Sequence, residues 1–251
     1  MAQPPDPRAE PHLLAVPLAT PVPPAVATVA TTDYVLLKCH WPVSLAFQAL
    51  SASNAAVAPA ELVHAAQQWC STQSWDLYRV AWAPGADTGL QTAWVYARLP
   101  SRTQLQASAL TTLAQAWRHR CPAAHDTTLS RLEQVLDRPG CSQGEPAVFH
   151  YVVETDPEEG WADEIFRWYD TEHMPGLAQV PGCIHARRLL NHDHGVHQGL
   201  DHGPVSLACY DLMTQETLGS AAWLAVRGTA WSSITRPHFS NTRRTMMQVT
   251  G

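Results

Sequence analysis

The 251 residues carry 22 Asp and Glu against 16 Lys and Arg, a formal net charge of -6, with 45% hydrophobic residues. That is enough apolar content for one large domain or two small ones. The acidic balance argues against nucleic acid or an anionic membrane as partner, and the chain has no uninterrupted apolar stretch of the ~18 residues that a membrane span needs. Six cysteines (Cys39, Cys70, Cys121, Cys141, Cys183, Cys209) occur without a CxxC pair and with no secretory leader before them, so reduced, buried thiols in the cytoplasm are expected.

Residues 1–30 hold eight of the 20 prolines and are expected to form a disordered or polyproline-like tail. From Thr32 onward, extended and helical patterns alternate. "DYVLLKCHW" (33–41) reads as a strand, "APAELVHAAQQWCS" (58–71) as a helix, "WDLYRVAWAPG" (75–85) and "TAWVYARLP" (92–100) as strands. "SRTQLQASALTTLAQAWRHR" (101–120) reads as a helix with Ser101 as its cap, and "TLSRLEQVLD" (128–137) as extended.

After the loop "RPGCSQGEP" (138–146) the order repeats. "AVFHYVVET" (147–155) is a strand, "EEGWADEIFRWYDTEH" (158–173) a helix, "GCIHARRLL" (182–190) and "PVSLACYDL" (204–212) strands. "TQETLGSAAWLAV" (214–226) is a helix capped by Thr214, and "TRRTMMQVT" (242–250) a last strand. The chain is therefore α+β, with two successive βαββαβ, ferredoxin-like units at 31–138 and 145–251. Each sheet has a second apolar face to cover, through His150 and Val152 on one side of a strand and Tyr151 and Val153 on the other. The two sheets cover each other around a central cavity, or they lie side by side and a second copy, in a homodimer, does the covering.

"FRWYDTEHMPGLAQVPGCIHARRL" (166–189) resembles the W-Y-x-x-E-H-x-P-x-x-x-x-x-P-G-x-x-x-x-R-R pattern of dimeric α/β-barrel proteins of the EthD-like group, and "WSSITRPHFSNTRRTMMQV" (231–249) is similar to that group's last segment. The likeness covers roughly residues 145–250; the first half shares the element order without the motif, as a degenerate copy would. The resemblance implies a ferredoxin-like barrel with a cleft between sheet and helices for a small, often aromatic molecule. In the wider superfamily such clefts serve cofactor-free cyclases, isomerases, small monooxygenases and haem-handling proteins. Asn241, Arg243 and Arg244 look like that group's structural anchors.

Helical spacing puts Trp161, Ile165, Trp168, Tyr169 and Glu172 on one stripe. Glu172 is its odd member, because a carboxylate on an apolar stripe must find donors, in the backbone after Pro175 or in Arg187 or Arg188. Pro175 disfavours helical geometry at Met174, so the helix is expected to finish near His173. A helix C-terminus favours protonated histidine, an acid or donor; burial would make His173 a base instead. Asp170, three residues earlier, is placed to orient it.

The sequence thus nominates His173, Glu172 and Tyr169 as catalytic and Trp168, Asp170 and Arg187 as substrate-binding, with no cofactor and no metal. Of Arg187 and Arg188, alternation lets only one face the cavity, the other being solvated or at an interface. The segment "NHDHGVHQGLDHG" (191–203) is dense in metal-ligand types, through His192, His194, His197 and His202, but its glycines favour a polar hairpin loop. No phosphate loop, nucleophile elbow, HExxH or GxGxxG occurs. The expected function is cofactor-free proton transfer on a small hydrophobic carbonyl or aromatic compound; the alternatives are a non-catalytic ligand-binding barrel or haem binding with His173 as axial ligand.

Overall fold

The computed structural model describes residues 27–42, 60–84 and 90–250; the Pro-rich stretch lies outside them as far as residue 26. The first half runs β1 (Val29–Pro42), α1 (Ala60–Thr72), β2 (Asp76–Pro84), β3 (Leu90–Gln106), α2 (Ala107–Arg120) and β4 (His125–Pro139). The second opens with β5 (Phe149–Pro157) and a helical run composed of α3 (Ala162–Trp168), a π-turn (Tyr169–His173) and α4 (Met174–Ala178). It continues through β6 (Cys183–Asn191), the short hairpin β7 (Val196–His197) and β8 (Leu200–Asp201), and β9 (Ser206–Leu212). It closes with α5 (Ala221–Arg227), α6 (Ala230–Thr235) and β10 (Phe239–Thr250).

Eight strands close a barrel in the order β1-β3-β2-β10-β5-β9-β6-β4, every neighbouring pair antiparallel. Within each half the order is the ferredoxin-like one, β4-β1-β3-β2 and β10-β5-β9-β6. The seams are β2 with β10 and β4 with β6. A single chain therefore closes its own barrel, and the two sheets cover each other without a second copy.

Strand alternation sorts side chains into three layers. Tyr34, Leu36, Trp94, Tyr96, Val152, Leu207 and Cys209 fill the barrel. Trp69, Trp117 and Leu62 pack the first half's helices onto its sheet, while Ile165, Trp168, Tyr169, Tyr210 and Trp223 do so in the second. Along β5 the inward residues are His150, Val152 and Glu154. Glu154 pairs with Lys38, His150 with Asp211, and the apolar Val152 separates the two pairs.

Three expected boundaries are corrected. Strand β3 runs on to Gln106, so the following helix starts at Ala107 and Ser101 is no cap; residues Val29–Thr32 of β1 pair with Thr103–Gln106 and hold that stretch extended. The helix expected over 214–226 is broken at Gly219 (φ +96°), with Ser220 and Thr229 capping α5 and α6 by accepting from the backbone of Trp223 (3.2 Å) and Ser232 (3.1 Å).

The third correction matters most: the helix does not stop at His173. The Met174 N–H reaches the Tyr169 carbonyl, five residues back. This wider turn relieves the clash that the Pro175 ring would have with the Thr171 carbonyl in α geometry. Pro175 then occupies the first turn of α4, where its missing N–H is not needed. Gly176 lets α4 approach α5 closely, since a Cβ there would lie 2.9 Å from the Val226 side chain.

Of the six cysteines, all free, five are buried and Cys141 is exposed. Among the described residues no helix is long and apolar enough to cross a membrane.

Candidate functional site

The π-turn and its flanks present Trp168, Tyr169 and His173 to the outer face of the second sheet. The His173 ring stacks on Trp168 (centroids 4.1 Å apart, interplanar angle 21°) and meets Tyr169 edge-on at 5.7 Å. Phe239 from β10 stacks on Tyr169 at 5.8 Å. The opposite wall consists of Tyr151 and Val153 from β5, Tyr210 from β9 and Trp223 from α5. Together they enclose a cavity of about 30 Å³, room for one or two water-sized groups. Arg227 ends α5, Arg236 follows α6 and Arg244 lies on β10, and all three line the same cavity.

Burial dominates the electrostatics. His173 is 7% exposed, and burial first, then the charges of Arg227 and Arg236, push its pKa down to about 3. The imidazole is thus neutral, the outcome expected of a buried His173 and not that of a helix end: the helix continues past it, and burial strips most of its hydration. Burial raises the Tyr169 and Tyr210 hydroxyls far above their ordinary range. Four buried polar atoms of the lining residues lack a hydrogen-bond partner among the described residues: His173 Nδ1, the Tyr210 hydroxyl and the indole N–H groups of Trp168 and Trp223. Such atoms cost roughly 1–3 kcal/mol each when left unmade.

The other nominated residues are elsewhere. Glu172 does not line the cavity; it accepts a hydrogen bond from the Thr229 hydroxyl at 2.6 Å and so fastens the π-turn to the cap of α6. Asp170 is held by Arg188 in a bidentate pair (2.8 and 2.7 Å) instead of orienting His173. Arg187 faces away, towards the barrel, where its partners are Tyr78, Asp211 (3.1 Å) and Asp137 (3.1 Å). Neither Arg187 nor Arg188 is solvated, because both faces of β6 are covered, one by the helical run and one by the barrel interior. Among the lining residues that sequence reasoning did not nominate, Tyr151, Tyr210, Trp223, Arg227, Arg236 and Phe239 come from β5, β9, α5, the turn after α6 and β10.

The histidine-rich segment is a braced hairpin. Arg131, fully buried, donates to both Asp193 oxygens (3.0 and 2.7 Å), His192 contacts Glu133 at 3.1 Å and His202 Nδ1 lies 3.0 Å from the Leu129 carbonyl. Among the described residues no group of three or more His, Cys, Asp and Glu is arranged to hold a metal. A second polar cluster, with Asp211 between Arg79, Arg187 and His150, borders a larger cavity of about 530 Å³ at the barrel's rim, lined also by Tyr78 and His185. There each charge is answered by an opposite one, as a structural brace requires.

No protein-family model and no curated protein matches the chain. Solved structures do. A candidate monooxygenase from Fusobacterium nucleatum superposes over 88% of this chain and 94% of its own, with a TM-score of 0.50 and 9% identity. A candidate monooxygenase from Lactobacillus acidophilus (TM-score 0.49, 12% identity, 87% and 93% coverage) and an anthrone oxidase-like protein (0.49, 14%, 89% and 94%) are similar over comparable lengths. At these identities the likeness concerns architecture alone. The chain has the dimeric α/β-barrel fold, with both ferredoxin-like halves in one polypeptide.

Proposed function

We propose that the chain is an EthD-like, cofactor-free proton-transfer protein of isomerase, cyclase or dehydratase type, acting on a small hydrophobic carbonyl or aromatic compound in the second half's cavity. The observation that carries this reading is His173: a neutral imidazole, fixed by stacking on Trp168, with its buried Nδ1 unpartnered among the described residues and its ring on the cavity wall. A neutral imidazole can donate a proton from one nitrogen and take one on the other. Positioned that way, it hydrogen-bonds the carbonyl oxygen of a bound compound and exchanges a proton with it. Trp168 and Tyr169 build the wall; Glu172 and Asp170 hold the wall in place through Thr229 and Arg188 and are positioning residues.

The cavity admits a reacting group of one or two heavy atoms, with the body of the compound at the mouth beside Tyr151 and Phe239. It does not fit a haem, whose macrocycle far exceeds the about 30 Å³ beside the imidazole. A non-catalytic binding role is the second reading, favoured by the same unpartnered polar atoms, which a resident ligand would satisfy.

Deuterium incorporation from D2O into small ketones and phenols, followed by NMR, is the test. His173→Phe keeps the stack on Trp168 and removes both nitrogens, so exchange should fall about 100- to 10,000-fold while the melting temperature at pH 7 does not drop. Unchanged exchange in the variant would sink the proton-transfer reading. A wild-type protein that binds a compound without exchanging its protons would establish the binding reading.

A further inference from the structure

We infer that the molecule taken by this cavity is a carboxylate, its anionic group held at the mouth by Arg227, Arg236 and Arg244; this rests on the cavity's being the working site. Three arginines from three separate stretches of the chain line one small cavity, and their charges act on one another. Among the described residues none of them is paired with a carboxylate, whereas the neighbouring Arg167, Arg188 and Arg243 are paired with Glu164, Asp170 and Asp201. Arg227 and Arg236 are half-buried and Arg244 is exposed, so two of the three charges are partly desolvated.

The three groups also press on one another. The charges of Arg227 and Arg244 add to burial in lowering the pKa of Arg236, and those of Arg227 and Arg236 lower His173. A structural cluster would be expected to dissipate such repulsion with an acidic neighbour, as the rest of this protein's buried charges do. An unanswered cluster that faces a cavity with four unpartnered buried polar atoms fits a ligand that brings both the negative charge and the hydrogen-bonding atoms.

Carboxylate geometry suits this mouth. Guanidinium forks bind planar carboxylates bidentately, and Tyr151 and Phe239, which line the same cavity, offer ring surface to a flat body that stays at the mouth with its anionic group. Occupancy would also act on His173. An anion between Arg227 and Arg236 cancels their charge, leaving only burial to oppose protonation, so a carboxylate substrate improves the base it is to meet.

Isothermal titration of the full chain at constant ionic strength tests the inference, with benzoate, acetate, inorganic phosphate and the neutral benzamide as probes. Benzoate should bind with a stoichiometry of one, at least tenfold more tightly than benzamide, and the double variant Arg227→Gln with Arg236→Gln should lose at least tenfold in benzoate affinity. Ligand-free, that variant should melt no lower than the wild type, because it removes repulsion and breaks no ion pair. Equal affinity for benzamide, undiminished benzoate binding by the variant, tighter binding of phosphate than of either carboxylate, no binding of any probe, or a melting temperature several degrees lower would each overturn it. The proposed proton transfer fails separately: benzoate binding that depends on the arginines, in a protein that exchanges no protons, would leave the anion site standing.

Discussion

Replacing Asp211 with Asn is expected to destabilise the protein by about 3–5 kcal/mol, the cost of removing one member of a buried charge cluster. Asp211 is 3% exposed on β9 and points into the barrel, where it receives Arg79, Arg187 (3.1 Å) and the Nδ1 of His150 (2.8 Å). The side chains of Arg79 and Arg187 are themselves only 12% and 15% exposed. Asparagine keeps the size and one acceptor oxygen but removes the charge. Arg187 retains Asp137 at 3.1 Å, while Arg79 is left with no carboxylate partner in the barrel wall.

His150 would suffer too. Its other nitrogen lies 3.1 Å from the Tyr96 hydroxyl, so Asp211 sets which nitrogen carries the proton: Nδ1–H donates to Asp211, and Nε2 accepts from Tyr96. At ~2–4 °C per kcal/mol for a protein of this size, the melting temperature should fall by roughly 6–20 °C. Adding Arg79→Met to Asp211→Asn should recover part of the loss, since an apolar side chain of similar length leaves no unpaired charge. A single variant that melts within ~2 °C of the wild type would show that the cluster is not the brace described.

The fold was legible in the sequence because its signal is the order of periodic segments, repeated once; the two apolar sheet faces left two arrangements open, and the β2–β10 and β4–β6 seams decide for closure within one chain. The boundaries were less legible where a distant strand decides them: nothing local to Ser101 announces that Thr103–Gln106 will pair with Val29–Thr32. At the site, helical spacing grouped Trp168 and Tyr169 with Glu172, but it is His173, outside that stripe, that lines the cavity with them, because the π-turn changes the spacing. Glu172 and Asp170 lie as close in sequence, yet their roles are set by Thr229 and Arg188, 57 and 18 residues away.

Pro175 misled for a definable reason. The rule that a residue before proline leaves helical geometry assumes α spacing, and one π-turn supplies another way to seat the ring. The arginines at the mouth were beyond sequence reasoning, because Arg227, Arg236 and Arg244 become neighbours only when α5, α6 and β10 converge.

Acid should destabilise the protein well above the range in which its carboxylates titrate. Unfolded, His173 has an ordinary pKa of about 6.5; folded, it is held down to about 3 by burial, with Arg227 and Arg236 adding to the effect. Between those values the unfolded chain binds a proton that the native site does not, so stability is fully present above the unfolded pKa and declines as pH falls through it, by up to about 1.4 kcal/mol per pH unit. From pH 7 to pH 5 this residue alone should account for about 2 kcal/mol. His150 adds in the same direction, because burial and the charges of Arg79 and Arg187 hold its pKa well below the ordinary value.

The His173 share is separable with His173→Phe, which cannot titrate and keeps the aromatic stack. The variant should lose about 2 kcal/mol less than the wild type between pH 7 and pH 5, read from urea unfolding at each pH. Parallel stability curves would mean that water reaches His173 and that its imidazole is not held neutral. The same measurement with saturating benzoate links the site's two parts. By offsetting the charges of Arg227 and Arg236, the anion should raise the native pKa of His173, so that in curves extended below pH 5 the acid-induced loss levels off at a higher pH than in the free protein, whereas benzamide, which brings no charge, should leave the wild-type curve as it was.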